Sequence, residues 1–262
     1  MLCLSSLLFF SCDTVLDLLG SSGAGGSSSG KPFTESEAVE AMKSALNIGA
    51  KKSSEQLSKI DAYYNNELLK IPLPSEADVI LDAVDRIQNG KGLVEDVILR
   101  LNRSAEEAAK EVVPIFSEAI TGMTVQDGIG IVKGERDAAT VYLKDKTYNQ
   151  LMKLYQPKMK AVLEQDLIGS MSANEAWETL TDAYNSVVNG GGGLGGAIIG
   201  GITGTDVKPV EVDLATYATG KALDGVFIKV AEEEGKIRDN PLDYGENIIK
   251  KVFGAVKGIL TN

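Results

Sequence analysis

The chain has 262 residues, 44% apolar and 24% charged, with 26 Lys and Arg against 37 Asp and Glu for a net charge of −11. That composition supports a buried core, and the acidic balance argues against a nucleic-acid partner, whose phosphates demand a basic surface. There is no histidine and the two cysteines are Cys3 and Cys12, so the body of the chain can hold no disulfide, histidine triad, cysteine nucleophile or Cys/His zinc site.

Residues 2–10, "LCLSSLLFF", form an apolar run too short for a bilayer, which takes about 20 residues, but of the right length for the core of a secretory signal. Leu8-Phe9-Phe10-Ser11-Cys12 puts a small residue directly before a cysteine, as in the lipobox of bacterial lipoproteins. Phe9 and Phe10 are bulkier than that motif usually carries. The expected division is a signal peptide at 1–11, then an acylated Cys12 with a flexible tether at 12–33. A helical domain follows at 34–262. "GSSGAGGSSSG" (20–30) cannot pack, and a tether of about 20 residues reaches about 25 Å as a random coil. The expected partner is a bacterial membrane, through Cys12, and the expected place is the cell envelope, facing the periplasm or the cell surface.

From Thr34 the pattern turns helical. Thr34 and Glu37 have capping-box spacing, and Val39, Met42, Leu46 and Gly49 share a face. Pro72 and Pro74 break the helix in "YYNNELLKIPLP" (63–74). Ser75 can cap a helix striped by Ile80, Ala83, Val84 and Ile87, with "NGKG" as its stop. Val94, Val97, Leu101, Ala105, Ala108, Val112, Phe116 and Ala119 predict one long helix kinked at Pro114. A short helix is expected from Thr124 to a stop at Gly134, then segments 137–145 and 147–168, the second interrupted at Pro157. Ser172 and Glu175 form another capping box before Trp177. Asp213 can cap a helix through about Glu234, and Asn240-Pro241 can start the last helix. "TDVKPVEVD" (205–213) and "GVFIKV" (225–230) alternate like strands, but two short pieces among so many helical stripes leave the fold class all-α, a single bundle-like domain.

Few motifs carry chemistry. "NGGGGLGGAIIGG" (189–201) meets the dinucleotide pattern at Gly190, Gly192 and Gly195 only because nearly every residue is glycine, and no strand precedes it. It reads as a loop insertion at about 189–205, with an apolar tip at Leu194, Ile198 and Ile199. "KGERDAATVYLKDKT" (133–147) offers Asp137 as a cap and a helix N-terminus among cations, a possible seat for an anion. "LNRSAEEAAK" (101–110) places Asn102 and Arg103 inside an apolar pattern, where an arginine usually pairs with a carboxylate. "KVAEEEGKIRDNP" (229–241) reads mainly as a solvated charged face.

Four segments in order, "YNNELLKIPLP", "LNRSAEEAAKEVVPIF", "MTVQDGIGIVKGERDAATVYLKDKT" and "DLATYATGKALDGVFIKVAEEEGKIRDNP", resemble bacterial domain-of-unknown-function family 4197, over about Thr34 to Gly254. The resemblance implies a helical fold and export from Gram-negative cells, often with a lipoprotein signal. It carries no activity and no catalytic residues. The Gly-rich 189–205 stretch looks longer than the family's usual connection.

These readings lead to an envelope lipoprotein that binds a ligand or partner without catalysis, cofactor or metal. Its expected ligand groove gathers Asn102, Arg103, Asp137, Lys221, Glu233 and Arg238 between helices. Two alternatives stay open: a structural scaffold with an apolar patch on the 241–260 helix, and a carboxylate- or metal-dependent hydrolase using Asp137 and Glu233.

Overall fold

The computed structural model describes residues 33–78, 90–165, 172–175, 177–178, 181–182, 185 and 211–260. The signal segment, Cys12, the tether as far as Pro32, the stripe at 80–87, the Gly-rich stretch and most of "TDVKPVEVD" lie outside them, whereas Phe33, expected to end the tether, is buried in the core. Among the described residues there are seven α-helices and no strand, so the protein is all-α.

Helix α1 (Glu35–Leu57) opens on the expected capping box: the Glu37 amide donates to Thr34 Oγ1 at 3.2 Å, and the Thr34 amide donates to Glu37 Oε2 at 2.9 Å. Its apolar stripe is completed by alanines, so Ala38, Ala41, Met42, Ala45, Leu46 and Ala50 are all buried. Small residues on several faces let α1 sit in the middle of the bundle, against α3, α4, α6 and α7.

The long apolar pattern after "NGKG" divides. Helix α2 (Gly90–Ala108) already includes Gly90 and Gly92, which were expected to end a helix, and a 3-10 turn at Ala109–Glu111 leads into α3 (Val112–Thr121). Pro114 therefore sits in the first turn of a new helix, where its missing N–H costs nothing. Helix α4 (Val125–Lys133) ends at Gly134 as expected.

Helix α5 (Ala138–Leu163) runs through both segments that the sequence divides, Pro157 included. Leu143, Thr147, Leu151, Tyr155, Met159 and Leu163 are buried at four-residue steps. Pro157 lies on the exposed side, where water can take the carbonyl it leaves unpaired.

Asp213 caps α6 (Leu214–Asp239) by accepting the Thr216 amide at 2.6 Å. "GVFIKV" lies within α6 and is not a strand. Its dense burial has a cause: α6 packs on both α5 and α1, so Gly225, Val226, Phe227 and Val230 are all covered. The rings of Phe227 and Phe116 meet there at 5.8 Å. Asn240-Pro241 starts a 3-10 turn (Pro241–Asp243), and extended Tyr244 delays α7 until Asn247–Leu260. On α7, Ile249, Val252 and Phe253 are buried in the core, while Val256 is half-buried.

Candidate functional site

Four helix segments meet at one corner: the end of α4, the start of α5, the end of α6 and the second half of α7. A buried carboxylate lies among them, that of Glu234. Its Oε1 accepts the Ala139 amide at 3.0 Å, and its Oε2 accepts the Thr140 amide at 2.9 Å and the Thr140 hydroxyl at 2.8 Å. A buried carboxylate on α6 thus satisfies the free amides of α5 and meets the positive end of its dipole. Asp137 stands at the N-cap position but makes no cap bond and is exposed. The amides at this helix start are taken by the protein's own Glu234 carboxylate, not left open for an external anion.

Arg238, one turn beyond Glu234, completes the latch. Its Nε and Nη2 donate to Glu234 Oε1 at 3.1 and 2.8 Å, and Nη2 also donates to the Ile131 carbonyl at 3.1 Å. That carbonyl belongs to the last turn of α4, the negative end of a helix, so the guanidinium joins two helix ends of opposite polarity.

Beside the latch lies an open cleft of about 550 Å³. Val132, Phe253 and Val256 form its apolar side, and Arg136, Arg238, Asp239 and Lys257 its charged side. Arg136 grips Asp239 with a two-pronged bond of 2.6 and 2.5 Å. The guanidinium comes close to α6 where residue 235 is glycine: a Cβ there would come within 2.7 Å of Nη2. This bond holds the Asp239 carboxyl below the usual carboxylate range and raises Arg136. Lys257 donates to the backbone carbonyl of Asp239.

The remaining expected groove residues lie elsewhere. Glu233 is buried but faces α1, where its Oε1 accepts from Lys236 at 2.5 Å and Gln56 at 3.3 Å, with Lys52 3.8 Å from Oε2. Burial pushes its carboxyl up, yet Lys236, Gln56 and Lys52 together hold it below the ordinary value. Asn102 is fully buried against the 58–74 loop: its side chain accepts from the Ile71 amide and donates to the Ile71 carbonyl, both at 2.9 Å. Arg103 bridges Asp61 at 2.6 Å and Glu106 at 2.7 Å. Asp61 has a positive φ of 68°, and Glu106 also accepts the Tyr63 amide at 3.3 Å. Lys221 is exposed on α6, about 18 Å along the helix from Glu233 at 1.5 Å per residue.

The six residues therefore do not form one groove. Asp137 and Arg238 share the corner, Glu233 sits behind it, Asn102 and Arg103 pin a loop, and Lys221 stands apart. Of the charge run 229–241, Glu233 and Glu234 leave the solvated face, because α6 is covered on two sides and turns them towards different neighbours, while Lys236 and Asp239 stay exposed. Among the described residues, no group of three His, Cys, Asp or Glu side chains is placed to hold a metal. The cleft residues Asp239 and Lys257 escaped the sequence reading, and Arg136 entered it only as one of the cations near the start of α5, because the Arg136–Asp239 pair joins positions 103 apart in the chain.

The family model described as protein of unknown function (DUF4197) matches residues 32–254. The chain belongs to that family. No curated protein and no solved structure matches it. In this DUF4197 chain the match opens two residues before the Thr34 cap and ends inside α7. The Glu234–Arg238 latch and the Arg136–Asp239 pair fall inside the matched span, and Val256 and Lys257 fall just past it.

Proposed function

We propose that this protein is a lipid-anchored envelope protein whose helical domain holds a ligand in the corner cleft and does not catalyse a reaction on it. One observation carries the binding half of this reading. The buried acid nearest the cleft, Glu234, spends both oxygens on the α5 amides and Arg238, so the cleft offers cations and apolar surface rather than a free acid–base pair. The anchoring half rests on the sequence around Cys12 and on the Gly/Ser tether.

Expression of the full chain in a Gram-negative host with an alkyne-bearing fatty acid tests the anchor. Label should enter the wild type and be absent from Cys12→Ala, which should also leave the membrane fraction. Equal labelling of the two would end the Cys12 assignment. Native and denaturing mass spectra of the same purified protein test the binding half. A mass excess that vanishes on denaturation is the expected result, and equal masses at saturating envelope extract would count against it.

A scaffold reading has one observation in its favour: Ile60 and Leu68, in the same loop, are each 79% exposed. Ile60→Ser with Leu68→Ser should then abolish cross-links to an envelope protein while leaving the mass excess unchanged.

A further inference from the structure

We infer that the corner cleft takes an anionic amphiphile, with a phosphate or carboxylate head on Arg136 and an apolar chain along Val132, Phe253 and Val256. This inference rests on the cleft being the binding site proposed above, and it names the ligand class. Three features lead to it.

The first is the pairing of chemistries in one concavity. A cleft of about 550 Å³ with an apolar wall and three cations at its edge suits a molecule with one charged end. In a chain of net charge −11, such a spot is electrostatically unlike the rest of the molecule. Around it stand Arg136, Arg238 and Lys257 against Asp239 and the buried Glu234.

The second is that one of the two acids is exchangeable and the other is not. Glu234 is buried and accepts three hydrogen bonds from α5 in addition to Arg238, so it cannot leave. The Arg136–Asp239 pair has 63% and 50% of its side-chain surface exposed. Such a pair is worth little in water. Its geometry nevertheless matters: the two carboxylate oxygens of Asp239 sit where an incoming phosphate or carboxylate would sit, in the fork for which a guanidinium is built. Asp239 is a stand-in for the head group.

The third is that the fork is positioned from below. Gly235 sits inside a long helix, at a cost in helix propensity, and leaves room for the Arg136 guanidinium, whose Nη2, Cζ and Nε would all lie within 3.1 Å of a Cβ there. Arg238 adds a further donor at the cleft wall, since its bonds use Nε and Nη2.

The test uses the full chain made by cell-free synthesis, so that no acyl group is attached. It is titrated with dodecyl phosphate below its micelle concentration, with inorganic phosphate, and with phosphatidylglycerol vesicles. Dodecyl phosphate should bind one to one and at least about tenfold more tightly than inorganic phosphate, because the chain adds buried apolar area. Arg136→Ala with Lys257→Ala should weaken binding by about tenfold or more, whereas Lys144→Ala with Lys158→Ala, an equal charge change elsewhere, should not. Asp239→Asn should tighten binding, since it frees the fork. That sign is decisive, because a purely structural Arg136–Asp239 pair predicts no gain. Val256→Asn, which leaves the cations and the net charge in place, should weaken dodecyl phosphate and leave inorganic phosphate unchanged.

Vesicle binding lost in the same variants would place the head group in a bilayer, and binding of the monomer alone would make the ligand a carried molecule. Either supports the site. Equal affinity for dodecyl and inorganic phosphate, or no binding in all three arms, overturns the assignment. If the envelope-derived protein then still shows a mass excess from a molecule of another class, ligand binding stands and the amphiphile is wrong. If it shows none, both fall.

Discussion

Glu234 and Asp137 show how a residue's position can mislead about its task. Asp137 has the right type and place for a cap but sits at φ −115° and ψ 15°, away from the extended backbone a cap uses. Glu234, nearly a hundred positions later, takes the amides instead. Removing one partner of a buried, hydrogen-bonded ion pair costs about 3–5 kcal/mol, so Glu234→Ala should lower stability by that order. Asp137→Ala should cost less than about 0.5 kcal/mol, as surface changes usually do. Urea unfolding of both variants checks this, and equal losses would return the cap to Asp137. The caps that were legible, Thr34 with Glu37, Ser172 with Glu175 and Asp213, all act within three residues. A pattern of three residues can be read along a chain, but a contact across 94 positions exists only once the helices are packed.

At the scale of elements, α4 is held against α1 by close approach rather than by large side chains. A Cβ on Gly128 would come within 2.7 Å of Val39 Cγ2, whereas a Cβ on Gly130 would meet nothing within 4 Å. Helix propensity favours alanine over glycine by about 1 kcal/mol at either place, while overpacking costs about 1–3 kcal/mol. Gly130→Ala should therefore stabilise the protein and Gly128→Ala should destabilise it. In a Val39→Ala background, Gly128→Ala should change sign and become neutral or stabilising. Thermal unfolding of the four variants decides it, and a Gly128→Ala loss that persists without the valine would locate the strain elsewhere. The sequence foretold that α4 exists and where it stops, because apolar period and terminal glycine are local signals. It could not foretell which glycine is a contact. The same limit explains Pro157 and Asn240-Pro241: a proline's effect depends on which face is buried and on the backbone that follows, and neither is written in the dipeptide.

For the whole molecule, acidity weighs opposing effects. Lowering the pH from neutral reduces the self-repulsion of a chain with net charge −11, but it also protonates carboxylates that hold helices together. Glu37 is kept below its ordinary 4.5 by its bond to Lys251 on α7 and by the Thr34 amide. Asp127 is kept below 3.8 by Thr124, and Asp239 by Arg136. Glu233 is lowered too, burial opposing and Lys236 with its neighbours prevailing. A carboxyl whose folded pKa lies below its unfolded one adds stability that is fully present above the unfolded value and is lost as pH falls through the folded one. Relief of repulsion and loss of pairing thus act in different windows, the first mostly above about pH 4.5 and the second below it. The urea midpoint should hold level or rise slightly from pH 7 to 5, then fall steadily below pH 4.5 as α1 loses α7 and the corner loses Asp239. High salt separates the contributions, because it screens the exposed pairs of Glu37 and Asp239 far more than the buried Glu233. In 1 M NaCl the fall should be shallower but not abolished. A midpoint that stays level as pH falls below 4 would mean that these pairings do not set the acid limit of the fold.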